Sequence, residues 1–302
     1  MQVVTNLAQI PAATSPIALT IGIFDGVHQG HQAIIKELHK LTRKGGTRAV
    51  LTFSNHPSSI VTPDQPTPLI LSLSHRLRLL RKYGINLALV LPFTYALAEP
   101  SHEAFLHALY AVFPFNELVL GKGALLGKYW KSFQQGLKAP SQKDHFKIHR
   151  IKTKRHGKQA ISSHLIRMLI KKCHLQKIKK LMGRPHAIWR QFDPATIGQE
   201  NAALYTYSFE EKGLCSLPSG VYAVYFEVDD NTTLPAIALL RSERRGVDSH
   251  LLITVCFTKR PARGRYVNIS FIKYLHSEID LTPLQPKPPL LLKGLSVKPS
   301  LS

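Results

Sequence analysis

Apolar positions in the first 185 residues switch between two periods. Residues 17–23 (IALTIGI) form an apolar, β-branched run that predicts a buried strand. Residues 31–42 (HQAIIKELHKLT) place Ile34, Ile35, Leu38 and Leu41 at helical spacing, with Lys36, Glu37 and Lys40 opposite. Gly45 and Gly46 stop that helix, and 48–53 (RAVLTF) reads as the next strand. Strand, helix and strand make a βαβ unit, which implies a parallel sheet with a right-handed crossover. The alternation continues with a helix over 74–83 ended by Gly84 and a strand over 87–91 (LALVL). Ser101 caps a helix over 102–112 that carries Glu103 in its first turn. A short strand covers 118–120, and 147–152 alternates as one more. Two helices follow over 163–172 and 175–182, with Leu165, Ile166, Leu169 and Ile170 on one face of the first and Leu175, Ile178 and Leu181 on one face of the second. Gly183, Arg184 and Pro185 end the run.

Beyond Pro185 the texture changes. The runs SGVYAVYFEV, LPAIALL, SHLLITVCF and YVNISFI are short and β-like, divided by Gly, Pro, Asp and Asn. The expectation is an α/β, Rossmann-like doubly wound parallel sheet over 1–185, then a small all-β, barrel-like domain over 186–282. A Pro-rich basic tail covers 283–302.

Composition narrows the class. With 302 residues, 44% of them hydrophobic, the chain can bury two cores and is not globally disordered. Cys173, Cys215 and Cys256 are scattered, in neither metal-ligand nor disulfide spacing, which suits a reducing cytoplasm. No basic-then-apolar leader opens the chain, and no segment approaches the length of about 18 apolar residues that a membrane span needs. The net charge of +22 is uneven: residues 138–190 hold 16 Lys and Arg against one acid, Asp144. Such a field attracts polyanions, whether nucleotides, nucleic acid or acidic membranes, and equally suits a solvated basic face.

The candidate chemistry lies at the first strand–helix junction, IGIFDGVHQGH, residues 21–31. In a doubly wound sheet ligands bind beyond the carboxyl ends of the strands, where helix N-termini present unpaired N–H groups. Gly22, Gly26 and Gly30 permit tight bends and close backbone approach, and His28 and His31 can each donate N–H to phosphate oxygens. A second anion site reads from ISSHLIR: Ser162 or Ser163 caps a helix, and Arg167 lies one turn in.

The strand–GxFDGxHxGH–helix context resembles the signature of the HxGH nucleotidyltransferases, and F-D-G-V-H resembles more narrowly the bacterial FAD synthetase family, whose members often join FMN adenylyltransferase to riboflavin kinase. Further segments carry the likeness over residues 17–255. TFSNHP (52–57) is similar to that family's F-x-P-H-P loop, LVLGKGALLG (118–127) to its V-x-G-x-D-F-x-F-G segment, and ISSHLIRMLI (161–170) to its I-S-S-T-x-I-R helix start. LMGRPHAI (181–188) matches its L-L-G-R-P-Y junction, and LPSGVYAV (217–224) a strand of its kinase domain. The resemblance implies attack of the FMN phosphate on the α-phosphate of ATP, with FAD and pyrophosphate as products. It implies His28 and His31 at the α- and β-phosphates, with Gly22, Phe24, Gly26 and Gly30 shaping that loop. Ser162, Ser163 and Arg167 would take the leaving pyrophosphate, and His56, Pro57, Gly121 and Gly123 the flavin side. Mg²⁺ would travel on the ATP phosphates, and Asp25 would fix the loop.

Departures fall at functional places. Asn55 replaces a proline, Gly123 an Asp or Asn, Ala124 and Leu126 two phenylalanines, and His164 a threonine. The kinase loop G-x-P-T-x-N has no counterpart in 186–216, and Asp248 stands for the glutamate base of E-x-H-L-L, one methylene shorter. The expectation is an FMN adenylyltransferase with riboflavin kinase activity weak or lost. The alternatives are a bifunctional enzyme, a lapsed relative that binds RNA or another polyanion through 138–190, and a different HxGH adenylyl- or cytidylyltransferase, against which F-D-G-V-H argues.

Overall fold

The computed structural model describes residues 1–6, 9–10, 15–42, 45–121, 146–201, 204–229, 232–245, 248–261 and 264–277. Contacts divide the chain into two units, 1–68 with 76–162 and 69–75 with 163–302.

Six parallel strands build the first unit: β1 (Gln2–Val4), β2 (Ile17–Ile21), β3 (Thr47–Phe53), β4 (Leu87–Leu91), β5 (Glu117–Gly121) and β6 (Lys147–Ile151), in the order β1-β4-β3-β2-β5-β6. Alternation along each strand sorts the side chains to two faces. Ile17, Leu19, Ile21, Ala49, Leu51, Phe53, Leu87 and Leu89 join one cluster with Phe105, Leu106 and Leu109 of the helix His102–Val112. Burial of each of those helix side chains contributes roughly 1.5–3 kcal/mol. Ser101 caps that helix as expected, its hydroxyl accepting from the Ala104 N–H at 3.2 Å. The buried residues of α1 (Gln29–Leu41), which are Ile34, Ile35 and Leu38, stand outside that cluster, so both faces of the sheet are covered. This is the doubly wound α/β arrangement. From β2 the chain progresses outward through β3 to β4, then crosses back to lay β5 on the other side of β2. The switch point lies therefore between β2 and β5, and their carboxyl ends are where this fold puts ligands.

After α2 (Ser58–Val61), α3 (Leu73–Lys82), α4 (Tyr95–Ala98) and α5 (His102–Val112) in chain order come the helices α6 (Ser163–Lys171) and α7 (Leu175–Met182), which the second unit holds with a curled antiparallel sheet of seven strands. Its core comes from alternating positions of the strands Gly220–Val228, Thr232–Arg245, Asp248–Phe257 and Tyr266–His276. Residues 69–75 join this unit: Leu69 bridges Leu214, and the Cys215 N–H donates to the Leu69 carbonyl at 2.6 Å. His186, where the family motif has tyrosine, is 4% exposed, and burial followed by the nearby Arg184 charge lowers it to about 4.

The periodicity misses several pieces, among them the strand His186–Gln191 and the short helices Ser58–Val61 and Tyr95–Ala98. The strands Ile197–Asn201 and Leu204–Lys212 were not expected, and neither was the edge strand β1. The first helix begins at Gln29 rather than at residue 31, because His28 supplies an N-cap that sequence rules reserve for Ser, Thr, Asp or Asn.

Candidate functional site

The chain leaves β2 through a loop of unusual backbone. Phe24, Gly26 and Val27 have φ of 54°, 82° and 37°. Two of these are not glycine, and left-handed conformation at a β-branched residue costs about 1–3 kcal/mol. Burial and hydrogen bonds hold the loop in place. Val27 is 0% exposed. Its N–H donates to the Phe24 carbonyl at 3.0 Å, and its own carbonyl accepts from Gln32 Nε2 at 3.0 Å.

His28 then turns the chain into α1. Its Nδ1 accepts from the His31 backbone N–H at 3.3 Å. A ring nitrogen that accepts carries no proton, so His28 is neutral in this arrangement and donates through Nε2. The two imidazoles stack with centroids 3.7 Å apart and planes 15° from parallel. The Phe24 ring lies 4.9 Å from that of His31, tilted by 44°. Both histidines thus meet at the N-terminus of α1.

The glycines divide by role. A Cβ on Gly30 would sit 3.0 Å from Cε1 and Nδ1 of His28 and 3.5 Å from the Ile161 carbonyl. Gly30 therefore lets the His28 ring lie against the helix, and it brings the backbone at Ile161 alongside. A Cβ on Gly121, at the end of β5, would meet Ile34 Cδ1 at 2.8 Å, so this glycine lets α1 approach the switch point. Gly22, by contrast, has only Phe24 ring atoms near it, at 3.4 Å and beyond.

The flavin-side loop follows β3. Asn55 does more than fill a place that proline has in the family motif. Its Oδ1 accepts from the Phe93 N–H at 2.7 Å, and its Nδ2 donates to the Phe93 carbonyl at 3.1 Å. One side chain thereby pairs like a strand residue and joins the loop after β3 to the loop after β4. His56 Nδ1 accepts from the Ser58 N–H at 3.1 Å and lies 2.7 Å from the Ser58 hydroxyl, while Pro57 is buried. Gly123, Ala124 and Leu126 lie outside the described residues, as does the side chain of Asp248. So do the tail over 283–302 and the basic stretch before residue 146.

Ser162 closes the first unit, one residue beyond Ile161, whereas Ser163 and Arg167 open α6 in the second. The carbonyl of Arg167 accepts from Cys215 Sγ at 3.8 Å. Among the described residues no group of three or more His, Cys, Asp or Glu could hold a metal ion. No described helix is long and apolar enough to cross a membrane. No motif marks Arg76 or Thr52, yet both donate to the Ile23 carbonyl, and Arg76 donates also to the Phe53 carbonyl at the end of β3. The one available signal was an arginine spaced with Leu79 and Leu80 on the apolar face of a helix.

The chain is similar to known proteins. A family model described as FAD synthetase matches residues 10–165. A bifunctional riboflavin kinase/FMN adenylyltransferase of Listeria monocytogenes is 30% identical over 223 residues, 72% of this chain and 69% of the relative. Its counterpart in Escherichia coli K12 is 24% identical over 277 residues, 90% of this chain and 88% of the relative. A solved chain described as a macrolide-efflux protein from Streptococcus pneumoniae superposes with a TM-score of 0.75 at 19% identity, covering 94% of this chain and 93% of that one. This last likeness is one of fold.

Proposed function

The chain belongs to the FAD synthetase family, and from that premise we propose that it is a cytoplasmic FMN adenylyltransferase whose β-rich region retains little or no riboflavin kinase activity. The nucleotidyltransferase region is 1–185 and the divergent kinase-like region 186–282. A phosphate oxygen of FMN attacks the α-phosphorus of ATP; the new P–O bond gives FAD, and the bond to the β-phosphate breaks to release pyrophosphate. This transfer needs alignment and neutralisation of growing negative charge rather than a covalent intermediate on the protein.

The observation that carries the proposal is the stacked His28–His31 pair at the N-terminus of α1, on the switch-point end of the sheet. His28 donates Nε2–H to an oxygen of the α-phosphate, its tautomer set by the bond at Nδ1. His31 takes the bridging or β-phosphate side. The N–H groups of the first turn add donors, and the helix dipole adds positive potential. Phe24 walls His31, and Gly22, Gly26 and Gly30 shape the loop. Ser162, Ser163 and Arg167 receive the pyrophosphate. His56, Pro57, Gly121 and Gly123 border the flavin, with Asn55 bracing their loop. Magnesium would arrive with the nucleotide on its phosphate oxygens and would share the neutralisation of their charge.

The kinase half rests on the absence of a G-x-P-T-x-N loop in 186–216 and on the shortened base Asp248. Purified protein incubated with ATP, Mg²⁺ and either FMN or riboflavin, with the products separated by chromatography, tests both halves. FAD from FMN and nothing from riboflavin is expected. FMN formed from riboflavin would establish the bifunctional reading. No pyrophosphate release, together with steeply salt-dependent nucleic-acid binding, would establish the lapsed, polyanion-binding one.

A further inference from the structure

Arg76 is 0% exposed and shares the apolar side of its helix with the buried Leu79 and Leu80. Burial of a cation costs several kcal/mol unless it is paired and hydrogen-bonded. Its guanidinium meets three acceptors. Nη1 donates to the Ile23 carbonyl at 2.6 Å and to the Thr52 hydroxyl at 3.4 Å; Nη2 donates to the Phe53 carbonyl at 3.1 Å. Thr52 Oγ1 donates to the same Ile23 carbonyl at 3.1 Å. Burial pulls the guanidinium below its ordinary value, and the charge of Asp25, itself 2% exposed, opposes that pull. Nε is buried with no hydrogen-bond partner. As a stabilising device this is poor, since an apolar side chain of similar volume does as well or better in such a place. What the arrangement delivers is position.

The bonds converge on one carbonyl. Ile23 is the last residue before the left-handed turn at Phe24, and Phe24 and Val27 bond across that turn. At its far end the loop is fastened to α1 by Gln32. Arg76 fastens the near end, and it joins that end to the close of β3.

We propose that Arg76 is a positioning residue for nucleotidyl transfer, holding the Ile23 carbonyl so that the loop 24–27 sets the His28 ring in register with the bound phosphates. This rests on the nucleotidyltransferase reading.

Arg76→Lys keeps the charge and loses the planar fork. Its kcat for FAD formation should fall at least about tenfold, as for a reacting group displaced by a fraction of an ångström, with KM for FMN within about twofold. In the ligand-free protein, ¹⁵N spectra should show His28 as one Nε2–H tautomer in the wild type and as a mixture in Arg76→Lys. Leu80→Val, a core substitution on the same helix, lowers stability and should leave both readouts at their wild-type values. If Arg76→Lys does not fold, the paired Arg76→Met/Asp25→Asn variant, which removes both buried charges, takes its place. Wild-type kcat per folded molecule, or an unchanged His28 tautomer, would overturn the proposal. Should the wild type make no FAD at all, the reaction reading fails by itself, and the tautomer comparison still decides whether Arg76 sets His28.

Discussion

At the residue scale, Gly30 sets two preferences against each other. Alanine is the better helix former by about 1 kcal/mol, so Gly30→Ala should melt no lower than the wild type. The added methyl meets the His28 ring at 3.0 Å, and the ring must turn. FAD formation should therefore fall about tenfold or more while thermal melting is unchanged or slightly raised. An active Gly30→Ala would mean that His28 need not lie where it does. His31→Ala removes a charge-stabilising donor and should lower turnover by about 10²–10³, measured as pyrophosphate release; unaltered turnover would remove His31 from the reaction. The sequence made both histidines and Gly30 legible, since a strand, three glycines and two imidazoles stand together there. It could not show that His28 caps its own helix, because the capping rules know histidine poorly and the bond depends on a ring orientation that Gly30 permits.

The element scale turns on loops rather than strands. Asn55 contributes two bonds to the backbone of Phe93, each worth about 1 kcal/mol net. Asn55→Ala should lower unfolding stability by about 1–2 kcal/mol in urea titration and raise KM for FMN more than KM for ATP. Equal change in both constants would detach this loop from the flavin. From sequence, Asn55 looked like the loss of a proline; its new partner lies 38 positions along the chain, beyond the reach of any local pattern. The strand Leu204–Lys212 was legible in principle, with Tyr205, Tyr207 and Phe209 at period two. Arg76 shows the opposite limit. Helical spacing marks it as inward-facing, but only the order of the strands decides which carbonyls it meets.

For the whole molecule, acid sensitivity follows from His186. Its value in the fold is about 4 against an ordinary 6.5, so the folded state favours the neutral ring. Below about pH 6.5 the unfolded chain takes up a proton that the fold refuses. The stability from this group is complete above that pH and declines as pH falls toward 4, by an amount on the order of 3 kcal/mol. Urea midpoints at pH 7 and pH 4.5 should converge more for His186→Leu than for the wild type; equal losses would mean that the buried ring is protonated at no cost. The two-part architecture was legible from the change of period after Pro185. The grouping of α6 and α7 with the sheet of the second unit was not, because their apolar faces say that they are buried without saying against what.

The excursion of residues 69–75 bears on any attempt to dissect the protein. Because the chain leaves one body, contributes a short piece to the other and returns, no single cleavage yields two self-sufficient fragments. A product beginning at Ser163 would lack the backbone that Leu69 offers to Cys215, and its amino-terminal complement would carry seven orphaned residues in mid-sequence.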